Sequence, residues 1–219
     1  MFHVEHERAL GEFLVTSTKG LGISLTDQQT RQFLVYLSHL LTWNRTTNLT
    51  SITEPHEIIS KHFVDSLTAL VAFNFPFQSM VVDVGSGAGF PGIPLKILRS
   101  DLRLVLVEPS QKKSSFLHLI VGALKLEQVS IFSGGLQQYA AQEPRPSADV
   151  MIVRALRFDE IAKPAALILS TGGHLLLFRT KKGDERLSNA FRVESSHDFS
   201  LPLNHGNRVV TVLTKSAAA

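Results

Sequence analysis

The chain has no cysteine, one tryptophan, two tyrosines and three methionines. Without thiols there is no disulfide framework, no thiolate zinc site and no cysteine nucleophile of the kind that C5 methylation of a pyrimidine uses. No apolar run approaches the length of a membrane span. The opening "MFHVEHERAL" is interrupted by acids and histidines and leads into no apolar core, so it does not read as a secretory signal. A cytoplasmic protein with no membrane partner is expected. The 9 histidines never fall in the H-E-x-x-H spacing, and no metal is expected. Strong charge of one sign is missing too: the formal net charge is +3, which permits a nucleic-acid partner without demanding one.

What is present is 219 residues, 44% of them hydrophobic, enough for a sizeable core in one domain with an appendage or in two small ones. Residues 1–74 read as a helical N-terminal region. Thr26 and Gln29 form a capping-box pattern before "RQFLVYLSHLL", where Phe33, Leu34, Leu37 and Leu41 recur at helical spacing. The polar "NRTTNLTSITEP" reads as a loop. Thr53 is the expected cap of the next helix, along which Ile58, Ile59, His62, Phe63, Leu67 and Leu70 repeat. From about residue 80 the pattern changes to "MVVDVG", "LRLVLVE", "VSIF", "DVMIVRA" and "GHLLLFR", alternating with helical stretches such as 112–125. Apolar strands joined by helices predict a mostly parallel sheet covered on both faces, and "FRVESSHDFSL" with "NRVVTVLTK" predicts a terminal antiparallel hairpin. Residues 75–219 are therefore expected to form a Rossmann-like α/β domain, with the helical region over its open edge.

The chemistry concentrates at "VVDVGSGAGFPGIP". Gly85, Gly87 and Gly89 end the first strand, where open parallel sheets bind ligands. Glycines there let a backbone take positive φ and approach a ligand closely. Glu108 ends the second strand and can accept from both hydroxyls of a ribose. Gly87, Gly89 and Gly92 also satisfy G-x-G-x-x-G, so an NAD-binding oxidoreductase is a rival reading. That rival needs N–H groups at the helix start for a diphosphate, and Pro91 and Pro94 have none. S-adenosylmethionine carries no phosphate, and D-x-G-x-G-x-G from Asp83 suits it better. The Asn/Asp-Pro-Pro-aromatic motif of exocyclic amine methylation does not follow the fourth strand, where the sequence is "VRALRF".

Three segments, "WNRTTNLTSITEPHEIISKHFVDSL", "DVGSGAGFPGIPLKI" and "VRA", together resemble the bacterial guanine-N7 methyltransferases of 16S ribosomal RNA, the RsmG family, once called glucose-inhibited division protein B. The resemblance runs from about Thr26 to Arg179. It implies a class I S-adenosylmethionine-dependent methyltransferase with a seven-stranded sheet. The substrate would be 16S rRNA, naked or within the small ribosomal subunit, and the methyl would pass by direct in-line displacement. It also implies that Gly85 and Phe90 line the cofactor pocket, that Glu108 meets the ribose, and that Leu136 and Gln137 meet the adenine side. Arg154, ending the fourth strand, would reach the cofactor or the incoming base and is the expected catalytic residue; if it instead pairs internally, Asp83 is the candidate acid. Asn48, Thr50, His62, Arg157, Arg179 and Lys181, with Lys182, are candidate substrate contacts. The chain departs from the family pattern at "GGLQQ" (134–138), at Arg179-Thr180 and at Val153, and these departures leave open a catalytically dead, RNA-binding scaffold. A monomer is expected.

Overall fold

A computed structural model describes the backbone of residues 2–181 and 189–216. Lys182 lies outside the described residues. The N-terminal region is helical: α1 spans Phe2–Lys19 and α2 spans Asp27–Thr47. The capping box forms as expected, Gln29 N donating to Thr26 Oγ1 at 3.2 Å and Thr26 N to Gln29 Oε1 at 2.9 Å. The face of α2 that points inward buries Phe33, Tyr36, Leu37 and Leu40.

The next helix differs from expectation twice. Its cap is Glu54, not Thr53: the Glu54 carboxylate accepts from Glu57 N at 2.7 Å, and Pro55 opens α3 (Pro55–Ile58). An anion suits the positive end of a helix better than a neutral hydroxyl does. The helix also widens into a π-turn over Ile59–Val64 before resuming as α4 (Asp65–Ala72). Asp65 N–H reaches back to Ser60 O across this turn. Ile58, Ile59, Phe63 and Leu67 stay buried, and polar His62, Asp65 and Ser66 are buried with them. Helical spacing already puts these three on one face, at i, i+3 and i+4.

The sheet order is β3-β2-β1-β4-β5-β7-β6. Its strands are β1 (Met80–Val84), β2 (Arg103–Val107), β3 (Val129–Phe132), β4 (Ala148–Arg154), β5 (Leu169–Arg179), β6 (Phe191–Ser200) and β7 (Asn207–Lys215). The first five pair in parallel, and β7 runs antiparallel to both β5 and β6. Between the strands lie α5 (Gly92–Leu98), α6 (Gln111–Ala123), α7 (Leu136–Ala140) and α8 (Phe158–Ile168).

Side chains alternate across a strand, so register decides which residues meet. Val81, Leu106, Ile152, Phe178 and Val210 share one core with the N-terminal helices and α6. Val82, Val84, Val107, Val153 and Leu177 share the other with α7 and α8. The N-terminal region thus covers a face of the sheet rather than its open edge, because α2 and α4 bury apolar sides that need a broad apolar partner. The same alternation sends Asp83, Arg154 and Arg208 towards the N-terminal helices.

Gly92, the first residue of α5, donates its N–H to buried Asp83 Oδ2 at 2.8 Å. A Cβ there would stand 2.7 Å from that oxygen and 2.9 Å from Leu106 Cδ2. Gly92→Ala is therefore expected to destabilise the fold by about 1–3 kcal/mol, read as a lower denaturant midpoint at unchanged slope. A midpoint equal to that of the parent protein would contradict this packing.

Candidate active site

Gly85, Gly87 and Gly89 all have positive φ, 68°, 59° and 101°, as a loop turning sharply off β1 requires. Gly85 N and Ser86 N both donate to Val107 O, at 2.8 and 3.2 Å, which ties the loop to the end of β2. Gly87 is open: a Cβ built on it would meet nothing nearer than Gly85 O at 3.9 Å. Gly89 is closed, since its Cβ would strike Ile93 and the Tyr36 hydroxyl. The two glycines therefore differ: Gly87 leaves open space beside the backbone, and Gly89 is required by core packing.

Glu108 is buried and holds the loop from below, its carboxylate accepting from Gly87 N and from Ser110 N, each at 2.8 Å. A carboxylate offers about four acceptor sites, so roughly two remain for ribose hydroxyls. The amides at the start of α5 are already committed. Gly92 N donates to Asp83, Ile93 N to Gly89 O and Leu95 N to Pro91 O, while Pro91 and Pro94 have no N–H. A diphosphate would find no donor in that turn. That turn therefore suits an uncharged group better than a diphosphate.

On the helical side, the Tyr36 hydroxyl donates to Ala88 O, in the middle of the loop. Its ring stacks on Phe90 at a centroid distance of 5.3 Å, and His62 stacks on Phe90 at 4.5 Å. Phe90 is itself buried, packed against the helices beneath the loop. Arg154 places its guanidinium carbon 5.4 Å from the centre of the same ring. It donates to Asp65 Oδ2 at 3.2 Å and to Lys61 O at 3.4 Å, and it meets His62 Nδ1 at 3.3 Å. Its acidic partner is therefore Asp65, not Asp83. A guanidinium can only donate, so His62 Nδ1 accepts and Nε2 carries the proton towards Thr50 Oγ1, 2.9 Å away. Burial, with Arg154 adding to it, pulls the His62 pKa down to about 3, and the imidazole is neutral.

The remaining expected residues scatter around this centre. Thr50 joins it through His62, its loop pinned by two hydrogen bonds between the Thr50 backbone and the Asn44 side chain. Asn48 is the exposed, left-handed end of α2, a structural position, 50° in φ. Leu136 is buried in the far core, and neighbouring Gln137 is exposed at the start of α7. Within "GGLQQ", Gln138 Oε1 accepts from Gly135 N at 2.9 Å and so caps α7. Arg157 is exposed and paired with Asp159 at 2.9 Å. Arg179 ends β5, one residue after Phe178 and so on the opposite face from Arg154, with Lys181 exposed beyond it. Tyr36 and Arg208 carry no motif and Asn44 lies in the "WNRTTNLT" segment without a role evident from spacing; strand register is the one signal that places Arg208.

The glycine loop at the end of β1, the acid at the end of β2 and the antiparallel β7 between β5 and β6 define the class I methyltransferase architecture. TrmN from Thermus thermophilus superposes with TM-score 0.58 at 14% identity, over 69% of this chain and 48% of that one. An MtNAS variant solved with S-adenosylmethionine gives TM-score 0.58 at 16% identity, over 95% and 88%. At such identities the likeness concerns fold alone.

Sequence relatives narrow the class. Residues 29–209 match the family described as rRNA small subunit methyltransferase G, and the chain belongs to that family. The Staphylococcus epidermidis protein named ribosomal RNA small subunit methyltransferase G is 34% identical over 213 residues, 93% of this chain and 89% of its own. Its Staphylococcus saprophyticus namesake is 34% identical over 203 residues, 89% and 85%.

Asp83 gives this site a pH signature. Its Oδ1 is buried without a hydrogen-bond partner, and burial pushes its pKa up from 3.8 to about 7 despite the Gly92 N–H. A raised acid favours the folded state below its unfolded pKa, and that advantage is lost as pH rises through the folded value. Relative to the parent protein, Asp83→Asn is thus expected to gain stability from about pH 4 to about pH 8, by up to about 4 kcal/mol, and to level off above. Denaturant titrations across that range check it; a pH-independent difference would contradict an acid that takes up its proton on folding.

Proposed function

We propose that the protein transfers the methyl group of S-adenosylmethionine to N7 of a guanine in 16S ribosomal RNA, as free RNA or within the small subunit. The observation that carries this reading is the glycine loop itself: Gly87 open, Glu108 with acceptor sites to spare, and every amide of the following helical turn occupied. Family membership supplies the RNA.

When bound, S-adenosylmethionine supplies an electrophilic methyl on a sulfonium. The residues around it bind and orient. Gly85 and Gly87 would give it bare backbone, with Gly89 closing the loop against the core, and Glu108 would accept from its ribose. Gln137, exposed at the start of α7 with Leu136 buried behind it, would border the adenine, and Arg154, where β4 ends, would reach the cofactor or the base. Arg157, Arg179 and Lys181 lie beyond β4 and β5 as candidate phosphate contacts, and Thr50 and His62 flank Arg154. N7 of guanine has an in-plane lone pair and no proton to lose, so alignment suffices and no general base is needed. The buried, neutral His62 agrees with that requirement, since a pKa pulled down to about 3 makes its imidazole a poor proton acceptor, and its Nδ1 already faces Arg154.

Incubation with labelled cofactor and small-subunit particles, followed by nucleoside analysis, is expected to yield 7-methylguanosine. Label in any other nucleoside would refute the N7 assignment, and none at all would favour the dead scaffold. Gly87→Val forces a branched side chain into positive φ, and calorimetry is expected to detect no cofactor binding. Arg154→Ala is expected to lower kcat/KM by about a hundredfold or more.

A further inference from the structure

The Asp65 carboxylate is wholly buried, and both its oxygens are held by guanidinium groups from different strands. Oδ2 takes Arg154 of β4 at 3.2 Å, and Oδ1 takes Arg208 of β7 at 2.6 Å. Both arginines are largely enclosed, with side chains 19% and 16% exposed. A carboxylate removed from water with one partner would leave an oxygen unpaired and its charge half compensated. Arg208 completes it. The register makes this meeting possible, because Arg154 pairs with Phe178 and Phe178 with Val210, so Arg208 sits two residues along the same face.

We propose that Arg208, acting through Asp65, is a positioning residue for Arg154. This rests on the role given to Arg154 above. A guanidinium at a strand end has four side-chain torsions to settle, and Phe90, Lys61 O and His62 contact it without charge. Asp65 supplies an ionic anchor, and Arg208 holds its other oxygen, which leaves Oδ2 facing Arg154. Burial pushes the Asp65 carboxyl above its ordinary value, with Arg208 foremost among the groups that oppose this. Losing Arg208 therefore loosens the hold on Arg154. The C-terminal hairpin thereby acquires a part in the site without touching the reactants. Its tip is already docked on the π-turn, where Ser60 Oγ donates to Pro202 O at 3.1 Å.

The test is a double-mutant cycle on methyl transfer from labelled cofactor to small-subunit particles, with Arg208→Met, Arg154→Met and the pair. Arg208→Met is expected to lower kcat/KM by about tenfold or more, with the loss in the same parameter, kcat or KM, that Arg154→Met affects. In the Arg154→Met background it should cost nothing further. Arg208→Lys should recover part of the loss, which a purely steric role would not predict. Should Arg208→Met not fold, Arg208→Lys and Arg208→Gln carry the same cycle. Additive losses would overturn the proposal and make Arg208 an independent contact, leaving the methyltransferase reading intact. Full activity in Arg208→Met would overturn it as well. Full activity in Arg154→Met would overturn both it and the role of Arg154, while 7-methylguanosine formation by the parent protein would still stand.

Discussion

Three alternate glycines bring no side chains to hold a loop, so much of its shape must be imposed by what it is bonded to. Here the bonds come from three directions. Glu108 accepts from Gly87 N on one side, Asp83 accepts from Gly92 N where the loop becomes a helix, and Tyr36 donates to Ala88 O from the N-terminal helices. Phe90, buried against Tyr36, Phe63 and His62, fixes the loop's far end. Glycine's freedom is thus spent at Gly87, where a ligand can approach, and removed at Gly89, where the core closes. The helical region is a wall of the cofactor loop as well as a cover for the sheet.

The same wall organises the charges. Arg154, Asp65 and Arg208 alternate as cation, anion and cation across one face, with neutral His62 and Thr50 completing the set. Buried charges are tolerated when each is paired and hydrogen-bonded, and this group meets that condition. An enzyme that must extract a proton would place a titratable base among these groups. The one imidazole present is locked in its neutral form between a guanidinium and a hydroxyl. Such a site can align a lone pair and a sulfonium carbon, which is what the proposed N7 methylation would ask of it.

Local features were legible in the sequence and distant ones were not. The capping box at Thr26 involves neighbours in the chain, and the spacing of the alternate glycines and of the acid ending the next strand was enough to expect a sharp turn there. The substitution of Glu54 for Thr53 as a cap shows how close such local contests are, since both residues can accept from the helix start. Arg154 was recognisable as a cation too costly to bury alone, but its partner was not. Asp83 and Asp65 both face it, and only the inward turn of the π-segment decides for Asp65. Tyr36 and Arg208 look like an ordinary core tyrosine and an ordinary strand arginine. Their roles arise from contacts 52 and 143 residues away in the chain, which no periodicity encodes.

The site depends on the N-terminal helices shaping the glycine loop. Calorimetric titration of S-adenosylmethionine into Tyr36→Phe tests it most directly, because that change keeps the ring and deletes only the hydroxyl that holds Ala88 O. The account predicts a cooperative, folded variant that binds the cofactor about tenfold more weakly, the order expected when a buried hydrogen-bond partner is lost. Affinity equal to that of the parent protein would show that the loop holds its shape without the helices, and would contradict it.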